Sequence, residues 1–342
     1  MRNAASKVWY NSPAALMRQG REKIDMGMRQ LTFIIGVLAA AGCATVPTDA
    51  ALEVEDLCEF SREKGPEGLS DITRIGGNRY YCVNDRRGLL YEVEIRLADD
   101  GSDGTFTVLR SVHLDSRVDL EGCAYDPLTR WVWVSDEHDT SIRAYNSSSG
   151  AMVAKAAVPD VYVKNSRKNR SLEALAISPD GLRMYAANED TLECDGAAAS
   201  RENGGIVRIQ EFVRKDAADI WRPSRQLRYP TDPVEGTPYN GMAISGVSAM
   251  CVLDDGRLLV LEREMSRKDL LLPTIRGRLY EVDLSSSSKT ATKRMLWDEN
   301  TMFANYEGIC QGPTLPDGRR TLVLVSDGGG DADENVLVLS LR

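Results

Sequence analysis

The sequence predicts an all-β fold: a β-propeller of four-stranded blades, five of them visible and room left for a sixth, closed into a ring by an N-terminal strand. Three observations carry this expectation. A strand–turn–strand unit recurs at intervals of roughly 50 to 75 residues, as propeller blades do. Each unit turns on Gly, Asp or Pro, the residues that hairpins need. Past the first forty residues no convincing apolar period of helical spacing is present.

The five units come in order. Gly68-Leu69-Ser70-Asp71-Ile72 leads to Tyr80-Tyr81-Cys82-Val83-Asn84-Asp85, and Asp119-Leu120-Glu121-Gly122-Cys123 to Trp131-Val132-Trp133-Val134-Ser135-Asp136-Glu137. Ser171-Leu172-Glu173-Ala174-Leu175 leads to Met184-Tyr185-Ala186-Ala187-Asn188-Glu189, and Ser245-Gly246-Val247-Ser248-Ala249 to Leu258-Leu259-Val260-Leu261-Glu262-Arg263. Asn305-Tyr306-Glu307-Gly308-Ile309 leads to Thr321-Leu322-Val323-Leu324-Val325-Ser326-Asp327. Third strands are expected at Leu89 to Ile95, Ser141 to Tyr145, Gly205 to Gln210, Gly277 to Val282 and Asn335 to Leu341. Fourth strands are expected at Thr105 to Val112, Ala151 to Val158 and Lys293 to Trp297, and Trp221 to Tyr229 is the strand a sixth blade would use. The last unit runs out of chain after its third strand, so Ala51 to Cys58 is expected to supply the fourth and close the ring. A pair of β-sandwiches would explain many strands but not the recurrence of Leu-Glu-Gly beside an Asp-Gly turn.

Residues 1–42 read as an upstream extension plus a signal peptide, with Met26 or Met28 as alternative starts. Arg29 precedes an apolar run from Leu31 to Leu38 and the small residues Ala39-Ala40-Ala41-Gly42-Cys43. At about a dozen residues the run is too short to span a bilayer. Ala-Gly-Cys resembles the bacterial lipobox, although the usual Leu three places before the Cys is Ala40. Export is expected, with a lipid on Cys43 as the membrane tether, residues 43–50 as a linker and 51–342 as the propeller. Ordinary cleavage into the periplasm or medium is the other reading.

The formal charge is −9, and removing residues 1–42, with six basic and two acidic side chains, takes it to −13. Nucleic-acid binding, which needs clustered Lys and Arg, is therefore disfavoured. With only His113 and His138 present, His-rich zinc sites and most Ser–His mechanisms lack material. Cys58, Cys82, Cys123, Cys194, Cys251 and Cys310 are either disulfide partners in an exported chain or buried thiols, and both readings stay open.

Antiparallel pairing puts the start of a blade's innermost strand and the end of its second strand at one mouth of the channel. Ser70, Glu121, Glu173, Ser248 and Glu307 fall at the starts, with Asp71 expected to turn away from the side Ser70 faces. Asp85, Asp136, Glu137, Glu189, Glu262, Arg263 and Asp327 fall at the ends. So many carboxylates around one opening call for a counter-ion, and Ca2+, which takes six to eight oxygens, is the natural one. Asp85, Asp136, Glu137, Glu189, Glu262 and Asp327 are the expected metal ligands. Solvated turn-edge acids are the plainer account of any single member. The oxygen-rich run Ser326 to Glu334 is a second candidate loop. Arg263 is read either as an anion clamp or as an ion-pair partner of a rim acid. His138 is read as a surface residue, and Ser70 and Ser248 lack a neighbouring base.

At these residues a family likeness emerges. Asp119-Leu120-Glu121-Gly122, Ser135-Asp136-Glu137, Leu172 to Gly181, Leu258 to Arg263, Tyr306-Glu307-Gly308-Ile309, Gly68 to Ile72 and Leu322 to Asp327 together resemble the phytase-like family called "esterase-like activity of phytase". The likeness runs over about residues 65–342. It implies a propeller, export and a calcium-assisted hydrolysis of phosphate or other esters. Carried over residue by residue, it implies that Glu121, Glu173 and Glu307 are channel-facing acids and that Glu262 and Arg263 form the polar end of the fourth blade. The chain departs from the family where Ala174 replaces the usual Gly and where three glycines follow Asp327.

The leading functional expectation is a small-molecule ester or phosphoester hydrolase with Glu121, Glu173, Glu307 and Arg263 at its catalytic centre. A lipid-anchored propeller that binds a sugar, peptide or protein without catalysis is the alternative. A lactonase-type hydrolase acting on a neutral ester is a third reading.

Overall fold

The computed structural model describes residues 51–342 apart from 63–64, 86, 116–118, 238–243, 268–272, 303 and 329–333. The signal-peptide, lipobox and start-site readings lie outside the described residues, as does most of the 326–334 loop.

Five antiparallel four-stranded sheets form a ring, a five-bladed β-propeller. Blade 1 comprises β2 (Leu69–Gly76), β3 (Arg79–Asn84), β4 (Leu89–Leu97) and β5 (Gly104–His113). Blade 2 comprises β6 (Leu120–Tyr125), β7 (Val132–Asp136), β8 (Ser141–Tyr145) and β9 (Met152–Ala156). Blade 3 comprises β10 (Leu172–Ile177), β11 (Arg183–Asn188), β12 (Ile206–Val213) and β13 (Arg222–Pro230). Blade 4 comprises β14 (Ile244–Val252), β15 (Leu258–Arg267), β16 (Pro273–Val282) and β17 (Lys293–Met302). Blade 5 joins β18 (Asn305–Gln311), β19 (Arg320–Asp327) and β20 (Asn335–Leu341) to β1 (Val54–Ser61). β1 pairs antiparallel with β20 from Val54 opposite Leu341 to Ser61 opposite Asn335. The segment held for a sixth blade is instead β13, the outer strand of blade 3. One short helix, α1 (Asp160–Asn165), interrupts the connection between blades 2 and 3, where no helix was expected.

Each blade buries both faces, which follows from period-two alternation of apolar residues. In β19 and β20, Leu322, Leu324, Leu337, Leu339 and Leu341 pack against blade 4. Their alternates Val323, Val325, Val336 and Val338 pack against blade 1. Every pair of adjacent blades shares such an apolar layer. All six described cysteines are free thiols, with Cys82, Cys123, Cys251 and Cys310 buried among these layers. The structure therefore favours thiols acting as small hydrophobes over a disulfide framework.

Candidate functional site at the acidic mouth

The innermost strands β2, β6, β10, β14 and β18 touch one another around the axis. Each carries a β-bulge at the same place, with register breaks at Leu69/Asp71, Leu120/Cys123, Leu172/Ala174, Val247/Ala249 and Tyr306/Gly308. The residues inside those breaks are Ser70, Glu121 with Gly122, Glu173, Ser248 and Glu307. A bulge inserts an unpaired residue and re-aims its side chain. Here the five insertions lie on one circle.

The glycines after two of these acids are explained by how closely the inner strands approach. A Cβ on Gly122 would sit 2.4 Å from the Glu173 carbonyl oxygen, and one on Gly308 would sit 2.7 Å from the Asp71 Cα. Ser135 bridges the same gap: its hydroxyl accepts the Gly122 amide at 2.7 Å and donates to the Glu173 carbonyl at 2.9 Å.

The second strands complete the mouth with a two-residue pattern. Near their ends stand the buried Asn84, Asp136, Asn188, Glu262 and Ser326, each followed by a residue of the mouth: Asp85, Glu137, Glu189, Arg263 and Asp327. The following residues line a cavity of about 410 Å³ together with Glu121, Glu173, Glu307, Lys168, Asn169, Arg170 and Ile244. Of the residues expected at the site, Asp85, Glu121, Glu137, Glu173, Glu189, Arg263, Glu307 and Asp327 are thus brought together.

Asp136 and Glu262 are not in this cavity. Strand alternation turns both into the blades. Asp136 is ion-paired with Arg143 and accepts the His138 amide at 3.1 Å. Glu262 is ion-paired with Lys293 and accepts the Tyr229 hydroxyl at 2.7 Å and the Asp232 amide at 3.0 Å. Their oxygens are committed to wall structure, so neither is retained as a cation ligand. Ser248 donates to the Leu261 and Tyr306 carbonyls, both at 3.4 Å, and His138 is exposed. Asp71 is fully buried below the cavity and accepts the Cys123 amide at 2.7 Å and the Ile72 amide at 2.8 Å.

The cavity's charge balance is uneven. At the bulge, blades 1 and 4 carry Ser70 and Ser248 where blades 2, 3 and 5 carry glutamates, and at the strand end blade 4 alone carries a base, Arg263, where the others carry Asp85, Glu137, Glu189 and Asp327. Arg263 forms ion pairs with Glu307 and, at 2.5 Å, with Glu189. Burial works against its charge, but Glu307, Glu189 and Glu173 raise its pKa above the ordinary value. The acids move upward as well. Burial, then repulsion from Glu307 and Glu137, lifts Glu121 well above the carboxylate range. Burial, then Glu121 and Glu189, does the same for Glu173. Burial pushes Glu137 up to about 7, with Glu189 and Asp119 adding to it. It also pushes Glu307 to about 7 despite Arg263.

Among the described residues, two sets of carboxylates could hold a hard cation: Asp119, Glu121 and Glu137, and Glu137, Glu173 and Glu189, with oxygens within 4.8 Å of one another in each set. The donors are all oxygen, which suits calcium rather than a thiophilic ion. Asp119 was quoted in the second repeat but not singled out as a site residue. Lys168, Asn169 and Arg170 were also missed; the basic run Arg167-Lys168-Asn169-Arg170 directly before the acidic strand start was their only sequence signal.

Comparison with curated proteins gives no match. Comparison with solved structures gives matches of low identity. A hydrazine synthase of Kuenenia stuttgartiensis shows 14% identity and a TM-score of 0.36 over 80% of this chain and 62% of its own, so the chain spans less than two thirds of that protein. The periplasmic gluconolactonase of Pseudomonas aeruginosa shows 11% identity and a TM-score of 0.35 over 80% of this chain and 87% of its own. A virginiamycin B lyase from Staphylococcus aureus shows 10% identity and a TM-score of 0.34 over 85% and 100%. The family model for phytase-like proteins, described as "esterase-like activity of phytase", matches residues 65–328, and the chain belongs to that family.

Proposed function

We propose that the protein is a hydrolase of phosphate or other esters that works at the acidic mouth with Ca2+ bound. The observation that most supports this is the ring of bulges, which turns Glu121, Glu173 and Glu307 from three separate blades toward one cavity. Membership of the phytase-like family supports the reaction class. Asp119, Glu121, Glu137, Glu173 and Glu189 are the residues that would hold the ion, with Asp85 and Asp327 facing them across the mouth. Bound calcium supplies polarisation of an ester or phosphoryl oxygen and neutralises the ring. In this reading Glu173, kept ionised because the bound cation offsets its burial and the repulsion of Glu121 and Glu189, takes a proton from the attacking water at a carboxylate oxygen. Arg263 orients Glu189 and Glu307.

Hydrolysis of p-nitrophenyl phosphate and phytate by the purified protein, before and after EDTA, tests the proposal. Activity should vanish on chelation and return with calcium, and Glu121→Gln, Glu173→Gln and Glu307→Gln should each remove turnover while the fold persists. Activity that survives full chelation ends this mechanism. The second reading is a lipid-tethered module that binds without turnover. It is favoured by Arg263, which already balances two rim acids. A protein that calcium stabilises but that turns over neither phosphate esters nor lactones would select it.

A further inference from the structure

The connection between blades 2 and 3 ends in a tight turn at the edge of the acidic cavity. The Arg170 amide donates to the Arg167 carbonyl at 3.1 Å, and Asn169 adopts a left-handed φ of 53°. Both flanks of the turn are clamped. Arg167 donates to the Thr191 carbonyl at 2.8 Å and the Gly196 carbonyl at 2.7 Å. Arg170 is ion-paired at 2.8 Å with the buried Asp190. Between them, Lys168 and Asn169 occupy the tip and line the cavity.

Three cations line this cavity among seven carboxylates. Arg263 is bound to Glu189 and Glu307, and Arg170 to Asp190. Lys168 is exposed and has no ion-pair partner among the described residues. A lysine on a clamped turn keeps a mobile point charge in a fixed neighbourhood, an arrangement suited to a dianion of variable shape. We propose that Lys168 is the specificity contact for the phosphoryl group of a phosphate monoester, favouring that dianion over a neutral ester in the same cavity. The inference rests on reading the acidic mouth as the ester-hydrolysing site. It goes beyond that reading by choosing the phosphate class and naming the residue that selects it.

The test compares kcat/KM for p-nitrophenyl phosphate with kcat/KM for p-nitrophenyl acetate in wild type, Lys168→Glu and Lys168→Arg, all with calcium present. Loss of one charge-assisted hydrogen bond predicts that the phosphate-to-acetate ratio falls by at least roughly tenfold in Lys168→Glu, mostly through KM, and recovers in Lys168→Arg. An unchanged ratio, or an equal fall in Lys168→Arg, overturns the proposal. If the wild type hydrolyses neither ester, the hydrolase reading fails, and calorimetric titration with inorganic phosphate decides this one. Binding that weakens about tenfold in Lys168→Glu and persists in Lys168→Arg supports it. No phosphate binding by the wild type, or equal binding by the charge-reversed variant, overturns it.

Discussion

The two ends of the channel are built by the same five inner strands and are chemically opposite. One end is the acidic cavity. The other is a hollow of about 300 Å³ that mixes Ile72, Cys123, Met250, Cys251, Ile309 and Cys310 with Thr73, Arg74, Ser178, Asp254 and Gln311. Along β6 the change from Glu121 to Cys123 takes two residues, and along β18 the change from Glu307 to Ile309 does the same. The bulge is the border between the two. At it Glu121, Glu173 and Glu307 have no strand partner and line the cavity; below it regular pairing restores alternation and apolar packing. Asp71 lies on the boundary, its carboxyl held well above the usual range by burial. One local backbone device thus lets a single set of strands carry both a carboxylate-rich site and a hollow of mixed lining without clustered acids.

The comparison can be broken most forcefully at its cations. Arg263→Met leaves Glu189 and Glu307 uncompensated and should cost about 3–5 kcal/mol in urea denaturation at pH 7.5 without calcium. Arg74, at the opposite end, donates to the Gly77 and Gly312 carbonyls, both at 2.9 Å, so Arg74→Met should cost about 1 kcal/mol. Equal losses would mean that the two ends do not differ electrostatically. Next comes the border itself. Gly122→Ala drives a methyl into the Glu173 carbonyl and should cost about 1–3 kcal/mol, whereas Ala174→Gly should cost at most about 1 kcal/mol. Equilibrium unfolding of both variants checks the order.

A pH series sharpens the contrast further. Glu137 and Glu307 bind their protons more tightly in the fold, each pushed by burial from the ordinary 4.5 up to about 7. The stability they contribute is full below about 4.5 and is lost as pH rises through about 7. The Tm without metal should therefore fall over that window, Glu307→Gln should flatten the fall, and calcium at pH 7.5 should raise the Tm. A wild-type Tm that rises steadily across the window would contradict the assignment. The smallest effect concerns the thiols. Burial pushes Cys58 up to about 11 and Cys251 to about 12. Among the six described cysteines, only the exposed Cys194 should therefore react quickly with a disulfide reagent at pH 8.

The fold was legible because the repeat is written in turn chemistry and apolar alternation, both local signals. Ala51 to Cys58, which overlaps the observed β1 (Val54–Ser61), could be matched to the unfilled place in blade 5 for the same reason. The blade count was blurred in 190–245, where long connections on either side of β12 separate one blade's own strands. The site was legible in its membership but not in its phase. Asp136 beside Glu137 and Glu262 beside Arg263 look equally suited to a rim, yet in each pair the first side chain enters the blade and the second enters the cavity. Aligning the five strand ends as Asn84-Asp85, Asp136-Glu137, Asn188-Glu189, Glu262-Arg263 and Ser326-Asp327 exposes that phase. The basic turn escaped because it follows a short helix in a connection, outside the repeat altogether.

Closure of the ring has a consequence for timing. Residues 54–61 are among the earliest of the propeller to be synthesised, yet their hydrogen-bonding partners are residues 335–341. Until the ribosome has delivered that far segment, the first strand has no sheet to join and blade 5 keeps a raw edge. Assembly can therefore be completed only once the whole domain has emerged, and a chaperone that guards unpaired strands would find its longest-lived client here.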